Sequence, residues 1–245
     1  MRIHVMATGE AFDHKAAGLL CAVVRERPAA AIGLPSGRTP LGMYAQLARL
    51  IDEESADFSR VAAFGIDELH GVRAAHPATN SSYFREHLTK QLTLRALHVL
   101  DCESEEPEAE CERFTRLIEE AGGLDLAVLG IGVNGHIAFN EPGSSFSSHA
   151  RKVALDETTR RLYAQHFGSA EAAPAFGLTL GIADLLAARR VLLLASGIDK
   201  TEVIARALEG PIREALPASA LQRHPELTVI LDREAASGLR EHASG

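Results

Sequence analysis

The stretch Leu124-Asp-Leu-Ala-Val-Leu129, continued by Gly130-Ile-Gly-Val-Asn-Gly-His-Ile-Ala-Phe-Asn-Glu-Pro-Gly143, decides how the chain is read. Its first part is a short apolar run of the kind buried on both faces of a parallel sheet. Its second part crowds four glycines, two asparagines, a histidine and a glutamate into fourteen residues. That is too much glycine for a helix or strand interior and too much polar chemistry for a plain turn. A loop just past the carboxyl end of a parallel strand is where open α/β sheets bind ligands. His136 and Glu141 lie close enough in sequence to act on one substrate. The plainer alternative is a glycine-rich strand-to-helix connection with an incidental histidine.

Outward from that stretch, apolar runs alternate with helical patterns. Strands are expected at Ile3–Ala7, Ala30–Leu34, Val61–Ile66, Leu97–Leu100, Leu124–Ile131, Val191–Ala195 and Leu227–Leu231. Helices are expected at His14–Glu26, Pro40–Glu53, Ser81–Gln91, Glu105–Ala121, Ala183–Ala188 and Lys200–Leu208. This alternation implies an α/β fold, a Rossmann-like, mostly parallel sheet with helices on both faces. No Pro/Ser-rich linker divides the chain and no internal repeat is visible, so residues 1–245 are read as a single domain. The acidic run Glu103–Glu112 reads as a solvated helix start, with carboxylates near the positive end of the dipole.

Bulk properties narrow the function. The net charge of −8 argues against a nucleic-acid or anionic-membrane partner, although a local site can still be positive. Cys21, Cys102 and Cys111 are odd in number and lack CxxC spacing, which points away from a disulfide framework or a zinc site. The N-terminus lacks a signal-peptide pattern, and no apolar run approaches the ~18 residues of a membrane span. A cytoplasmic protein acting on a small molecule is the expectation.

Four polar segments each follow an expected strand: Pro35-Ser-Gly-Arg-Thr-Pro40, Asp67-Glu-Leu-His-Gly71, the glycine-rich stretch, and Ser196-Gly-Ile-Asp-Lys200. In a parallel sheet they should gather on one edge. The first precedes a helix, so its free N–H groups, Ser36, Gly37, Thr39 and Arg38 suit an anion; helix capping by Ser36 or Thr39 is the compatible, plainer role. The Walker A spacing is absent, so ATP is not implied. Asp67 and Glu68 are adjacent, and successive side chains of an extended chain diverge, so one of the two faces a substrate. Partial burial could lift an aspartate from its usual pKa into the range of a useful base; an N-cap plus a surface glutamate is the competing role. Asp67, His70 and His76 lack the tight spacing of a metal site. His136 with Glu141 suits an acid/base histidine oriented by a carboxylate. Lys200 is either a second phosphate contact or a solvated lysine.

With these segments in view, the chain resembles the glucosamine-6-phosphate deaminase family, part of a larger group that also holds 6-phosphogluconolactonases. The match runs from Leu34-Pro-Ser-Gly-Arg-Thr-Pro40 to Pro217-Ala-Ser-Ala-Leu-Gln-Arg-His-Pro225, and Phe139-Asn-Glu-Pro-Gly143 favours the deaminase branch over lactone hydrolysis. The resemblance implies that Asp67 moves a proton from C2 toward C1, that His136 opens the sugar ring at O5, and that Glu141 is its carboxylate partner. Asn134 falls where members carry aspartate or asparagine. Ser36, Gly37, Arg38 and Thr39 match the phosphate loop and Lys200 a second phosphate ligand. The implied reaction converts glucosamine 6-phosphate to fructose 6-phosphate and ammonia without cofactor or metal; galactosamine 6-phosphate is the alternative substrate. A mobile lid is expected around residues 155–178. There, Gln165 stands where many members have a phosphate-binding arginine, with Arg160 or Arg161 as possible substitutes. Arg151-Lys152-Val153 departs from the activator-binding pattern of hexameric members, which leaves monomer or homo-oligomer open.

Overall fold

Two buried layers of side chains sandwich one sheet. The computed structural model describes residues 1–53 and 56–240. In chain order the strands are β1 (Arg2–Met6), β2 (Ala31–Leu34), β3 (Ala62–Gly65), β4 (Asp67–His70), β5 (Ala96–His98), β6 (Leu126–Leu129), β7 (Arg151–Ala154), β8 (Phe176–Thr179), β9 (Val191–Ala195) and β10 (Leu227–Asp232). The helices are α1 (Gly9–Glu26), α2 (Leu41–Glu53), α3 (Asn80–Phe84), α4 (Pro107–Glu120), α5 (Glu157–Phe167), α6 (Ile182–Leu186), α7 (Thr201–Glu209) and α8 (Arg233–Ala236). Seven strands form the main sheet in the order β1-β10-β9-β6-β2-β3-β5, every neighbouring pair parallel. All seven expected strands are these seven, the run at 124–131 being trimmed to Leu126–Leu129.

The apolar runs are explained by double burial. In β6, Leu126 and Val128 join the core under α1 and α2, while Ala127 and Leu129 join the core under α4, α6, α7 and α8. Leu192 and Leu194 of β9 divide from Val191 and Leu193 in the same way. Full burial of each of these leucine and valine side chains is worth roughly 1.5–3 kcal/mol, and with both faces covered no polar alternation is visible in these strands. Among the described residues no helix is long and apolar enough to cross a membrane.

The sheet order contains the fact that places a site. Chain order runs outward from β2 through β3 to β5 on one side, and from β6 through β9 to β10 on the other. The reversal lies between β2 and β6, and a crevice forms at the carboxyl ends of strands at such a switch. Four neighbouring strands, β9, β6, β2 and β3, therefore deliver Lys200, the His136 loop, the Ser36–Thr39 loop and Asp67 to one edge in that order.

A second sheet corrects the sequence reading. Asp67-Glu-Leu-His70 is not loop but β4, the edge of a three-stranded antiparallel sheet β4-β8-β7. Ile66 is the hinge between the sheets: its N–H bonds the Leu34 carbonyl at 3.2 Å, and its carbonyl accepts from Leu180 N at 2.9 Å. The expected helix over 81–91 divides into α3 and a π-helical turn at Arg85–Thr89. Helix α5 occupies the first part of the expected lid, and the last residues of that span, Phe176–Leu178, belong instead to β8, held on both sides by β4 and β7.

Candidate active site

The glycine-rich loop is built to hold His136 close to backbone. Gly135 has φ +87°, a conformation that glycine adopts at no steric cost. A Cβ at Gly132 would lie 2.3 Å from the His136 ring, so only glycine lets the ring pack there. Gly132 N–H bonds the His136 carbonyl at 3.0 Å, and Gly135 N–H bonds the Gly132 carbonyl at 2.9 Å, closing the loop on itself. Asn134 works from both ends: its Oδ1 accepts from His136 N at 3.2 Å and its Nδ2 donates to Glu141 Oε2 at 3.0 Å. Ala138 is held at φ +48°, a left-handed conformation that costs a non-glycine residue about 1 kcal/mol or more and recurs at functional sites.

Glu141 is the hub. His136 Nδ1 lies 3.5 Å from Glu141 Oε2, and both side chains are largely buried. Thr159, buried on α5, donates its hydroxyl to Glu141 Oε1 at 2.6 Å and lies 3.3 Å from His136 Nδ1. Asp156 N–H, at the start of α5, reaches the same oxygen at 3.3 Å. Burial pushes the Glu141 carboxyl up, but the hydrogen bond and charge of His136, with the bonds from Thr159 and Asn134, outweigh it and the net shift is downward. Glu141 is thus a carboxylate at neutral pH. With His136 Nδ1 donating to this cluster, Nε2 is the nitrogen left to exchange a proton with a ligand.

Asp67 has the opposite character. Burial first, then the charge of adjacent Glu68, push its carboxyl from 3.8 to about 7, against the hydrogen bond from Asn80. A carboxylate with that affinity for a proton can serve as a base near neutral pH. Glu68 points the other way along β4, as strand alternation requires. It is fully buried and accepts Leu69 N at 2.8 Å, Asn80 N at 2.9 Å and Ser81 N at 2.9 Å. It is no surface glutamate.

The remaining expected residues divide. Ser36–Thr39 form the turn before α2, with Gly37 at φ +101°. Tyr44 Oη and Tyr83 Oη donate to the Pro35 and Gly37 carbonyls, each at 2.7 Å, so those carbonyls are occupied and the turn's N–H groups remain for an anion. Lys200 immediately precedes α7 and makes no capping bond with its side chain, which is mostly buried 3.4 Å from Asp199. The two proposed stand-ins for the lid arginine are engaged elsewhere. Arg160 donates to the carbonyls of Glu171 and Ala173 within its own segment, and Arg161 pairs with Glu157. Arg151 donates to Asn140 Oδ1 at 3.0 Å and Ser144 Oγ at 3.2 Å, an internal brace of the glycine-rich loop. His70 bonds the Ser104 carbonyl and His76 stacks on Phe167 at 4.6 Å, so neither joins Asp67; among the described residues no cluster could hold a metal ion.

Three contributors are absent from the sequence reading: Thr159, Tyr163 and Asn80. Thr159, Tyr163 and Phe167 recur every four residues along α5, one stripe on a helix. Two of the three meet the site, Thr159 on Glu141 and Tyr163 edge-on to Phe139 at 6.3 Å and facing Asp67 and Glu68, while Phe167 stacks on His76 beside it. That spacing was the available signal. Asn80, by contrast, carries no local pattern; its contact with Asp67 spans thirteen positions.

The family model described as glucosamine-6-phosphate isomerases/6-phosphogluconolactonase matches residues 7–230. A glucosamine-6-phosphate deaminase of Bacillus velezensis is 39% identical over 231 residues, 94% of this chain and 96% of that protein. Glucosamine-6-phosphate deaminase 1 of Bacillus subtilis is 38% identical over 239 residues, 97% and 99% of the two chains. A solved monomeric glucosamine-6-phosphate deaminase superimposes with a TM-score of 0.93 at 38% identity, covering 97% of this chain and 100% of that one. A 6-phosphogluconolactonase from Trypanosoma brucei shares the fold, with a TM-score of 0.77 at 22% identity.

Proposed function

The chain belongs to the glucosamine-6-phosphate isomerase/6-phosphogluconolactonase family, and from that premise we propose that it converts glucosamine 6-phosphate and water to fructose 6-phosphate and ammonia. The observation that carries the reading is the pairing, at one sheet edge, of a base held near neutrality, Asp67, with a histidine bound to an ionised carboxylate, His136–Glu141. Lactone hydrolysis has no use for a base that shuttles a carbon-bound proton.

In this reading the ring opens as His136 Nε2 exchanges a proton at O5. Asp67 removes the proton from C2, giving an enolamine, and returns it to C1. The resulting imine at C2 takes up water and releases ammonia. Asn134 fixes the His136 loop and Glu141 together. Ser36, Gly37, Arg38 and Thr39 hold the phosphate at the start of α2, with Lys200 across the crevice. We place the enzyme in the cytoplasm, consistent with three buried free thiols, and read it as a monomer, like the solved deaminase it superimposes on. The test is ammonia release from glucosamine 6-phosphate and galactosamine 6-phosphate side by side. Glucosamine 6-phosphate is expected to be the better substrate; no ammonia from either would refute the reading.

Lys200→Ala is expected to raise KM about 10-fold or more with little change in kcat. Its contact with the phosphate exists equally in ground and transition states. A fall in kcat at constant KM would move Lys200 from binding to chemistry.

Because Phe176–Leu178 are fixed in β8, the proposed lid is residues 155–175, with Thr159 as its latch on Glu141. Thr159→Val keeps the shape of the side chain but removes the hydroxyl. Turnover is expected to fall about 10-fold, in line with losing a strong hydrogen bond to a charged group, and proteolysis within 155–175 should quicken. Thr159→Ser should restore both. Unchanged proteolysis and turnover in the valine variant would end the latch assignment.

A further inference from the structure

We propose that Asn80 is a positioning residue for the reaction: it aims the Asp67 carboxylate by occupying one of its oxygens and leaving the other for the substrate. The inference rests on the reading of Asp67 as the base. Asn80 Nδ2 donates to Asp67 Oδ1 at 2.6 Å and to the Asp67 carbonyl at 2.7 Å, so both ends of the residue are pinned by one amide. Among the described residues Asp67 Oδ2 takes no hydrogen bond. Asn80 is itself buried, at 2% exposure. A buried carboxylate with one oxygen held and one free can only approach a substrate carbon along one direction, and misplacement by about 1 Å can cost up to 10²-fold in rate.

Asn80 is in turn fixed from two sides. Its backbone N–H and that of Ser81 both donate to Glu68, the carboxylate next to Asp67 on the opposite face of β4. Thr79 caps α3 through Ser82 N at 3.2 Å and ties the preceding turn through the Ala74 and His76 carbonyls. The path Glu68–Asn80–Asp67 thus runs from strand to helix start and back to the strand. It gives buried Glu68 a role that ion pairing does not, because the three groups it binds are all backbone N–H donors.

The ionisable groups facing the Asp67–Glu68 pair from other elements are Tyr44 on α2, Tyr163 on α5 and Cys102 after β5. Burial raises all three, Cys102 to about 12, so all stay neutral where the pair titrates. Removing the Asn80 donor therefore acts on the pair alone: the bond stabilises ionised Asp67, and without it the carboxyl binds its proton more tightly.

The experiment measures kcat and KM for glucosamine 6-phosphate across pH in the wild type, N80A and the isosteric N80D, with inorganic phosphate as a competitive probe of the binding loop. Expected are a kcat lower by about 10- to 10²-fold, KM and phosphate inhibition within about twofold, and an acid limb of the kcat profile displaced upward by about one pH unit. N80D should displace it further, since two carboxylates would then share the site. A wild type inactive on amino-sugar phosphates defeats the functional reading itself. An active wild type whose variants keep kcat and the acid limb overturns the role of Asn80 alone. Loss of kcat with an unmoved limb, and raised KM, marks Asn80 as a mere packing residue and equally overturns it. If N80A fails to melt cooperatively, N80D, which preserves volume, decides.

Discussion

Asp67→Asn is expected to lower turnover by at least about 10²-fold, typical of removing a general base, while KM and phosphate inhibition stay within about twofold. The amide keeps an oxygen to accept from Asn80, so the geometry around β4 should survive. A second, independent result is expected from stability. A carboxyl raised from 3.8 to about 7 is harder to ionise in the folded chain than in the unfolded one. The folded state therefore begins to lose stability as pH rises past the unfolded value and has lost the full amount above about 7. Asp67→Asn should accordingly melt higher than the wild type at pH 8 and together with it near pH 3, where both states carry the proton. An inactive variant that also gains stability in alkaline solution is a residue kept for chemistry at a cost to folding. Near-normal turnover in the asparagine variant would remove Asp67 from the mechanism.

The main sheet was legible because its strands are buried on both faces. Val191–Ala195 and Leu126–Leu129 are unbroken apolar runs, and nothing but a doubly covered sheet accommodates them. The gathering of four polar segments at its carboxyl edge followed from parallel pairing, and β9-β6-β2-β3 do bring them side by side, with the segment at Asp67 forming β4 rather than a loop. The second sheet was not legible. Its strands are four residues each, Asp67-Glu-Leu-His70, Arg151-Lys-Val-Ala154 and Phe176-Gly-Leu-Thr179, with charges and a glycine where β-propensity favours neither. They are held by pairing across more than a hundred residues in the case of β4 with β8, which no local window reports.

That hidden sheet is what assembles the site. Thr179 pairs with Asp67 on one side and with Arg151 on the other, and its hydroxyl accepts from Phe139 N at 3.1 Å. One threonine thereby sets Asp67, the Arg151 brace of the glycine-rich loop and the loop itself in register. The candidate reacting residues could be proposed from sequence because chemistry restricts their types. Their supports, Asn80, Thr159 and Thr179, could not, because many polar side chains could serve and only the three-dimensional pairing selects which.

His136→Gln is expected to reduce turnover by about 10²- to 10³-fold, as loss of a positioned proton donor and acceptor does, and the deficit should lie in ring opening. The geometry gives the reason. His136 Nδ1 lies 3.5 Å from Glu141 and 3.3 Å from Thr159, so the ring is oriented by α5 and the carboxylate together, which leaves Nε2 for the proposed proton exchange. Glutamine can occupy the space but cannot carry a proton. An acyclic amino-alditol 6-phosphate has no ring to open and no C1 carbonyl to react. Its affinity should stay within about threefold of the wild-type value if His136 acts on the ring; affinity lost in proportion to turnover would make His136 a binding residue instead. Glu141→Gln should follow in the same direction with a smaller loss, because Thr159 still holds Nδ1 while the negative charge that stabilises a protonated ring is gone. Equal activity of the Glu141 variant and the wild type would show that His136 needs orientation only from Thr159, and that the carboxylate serves the lid rather than the proton.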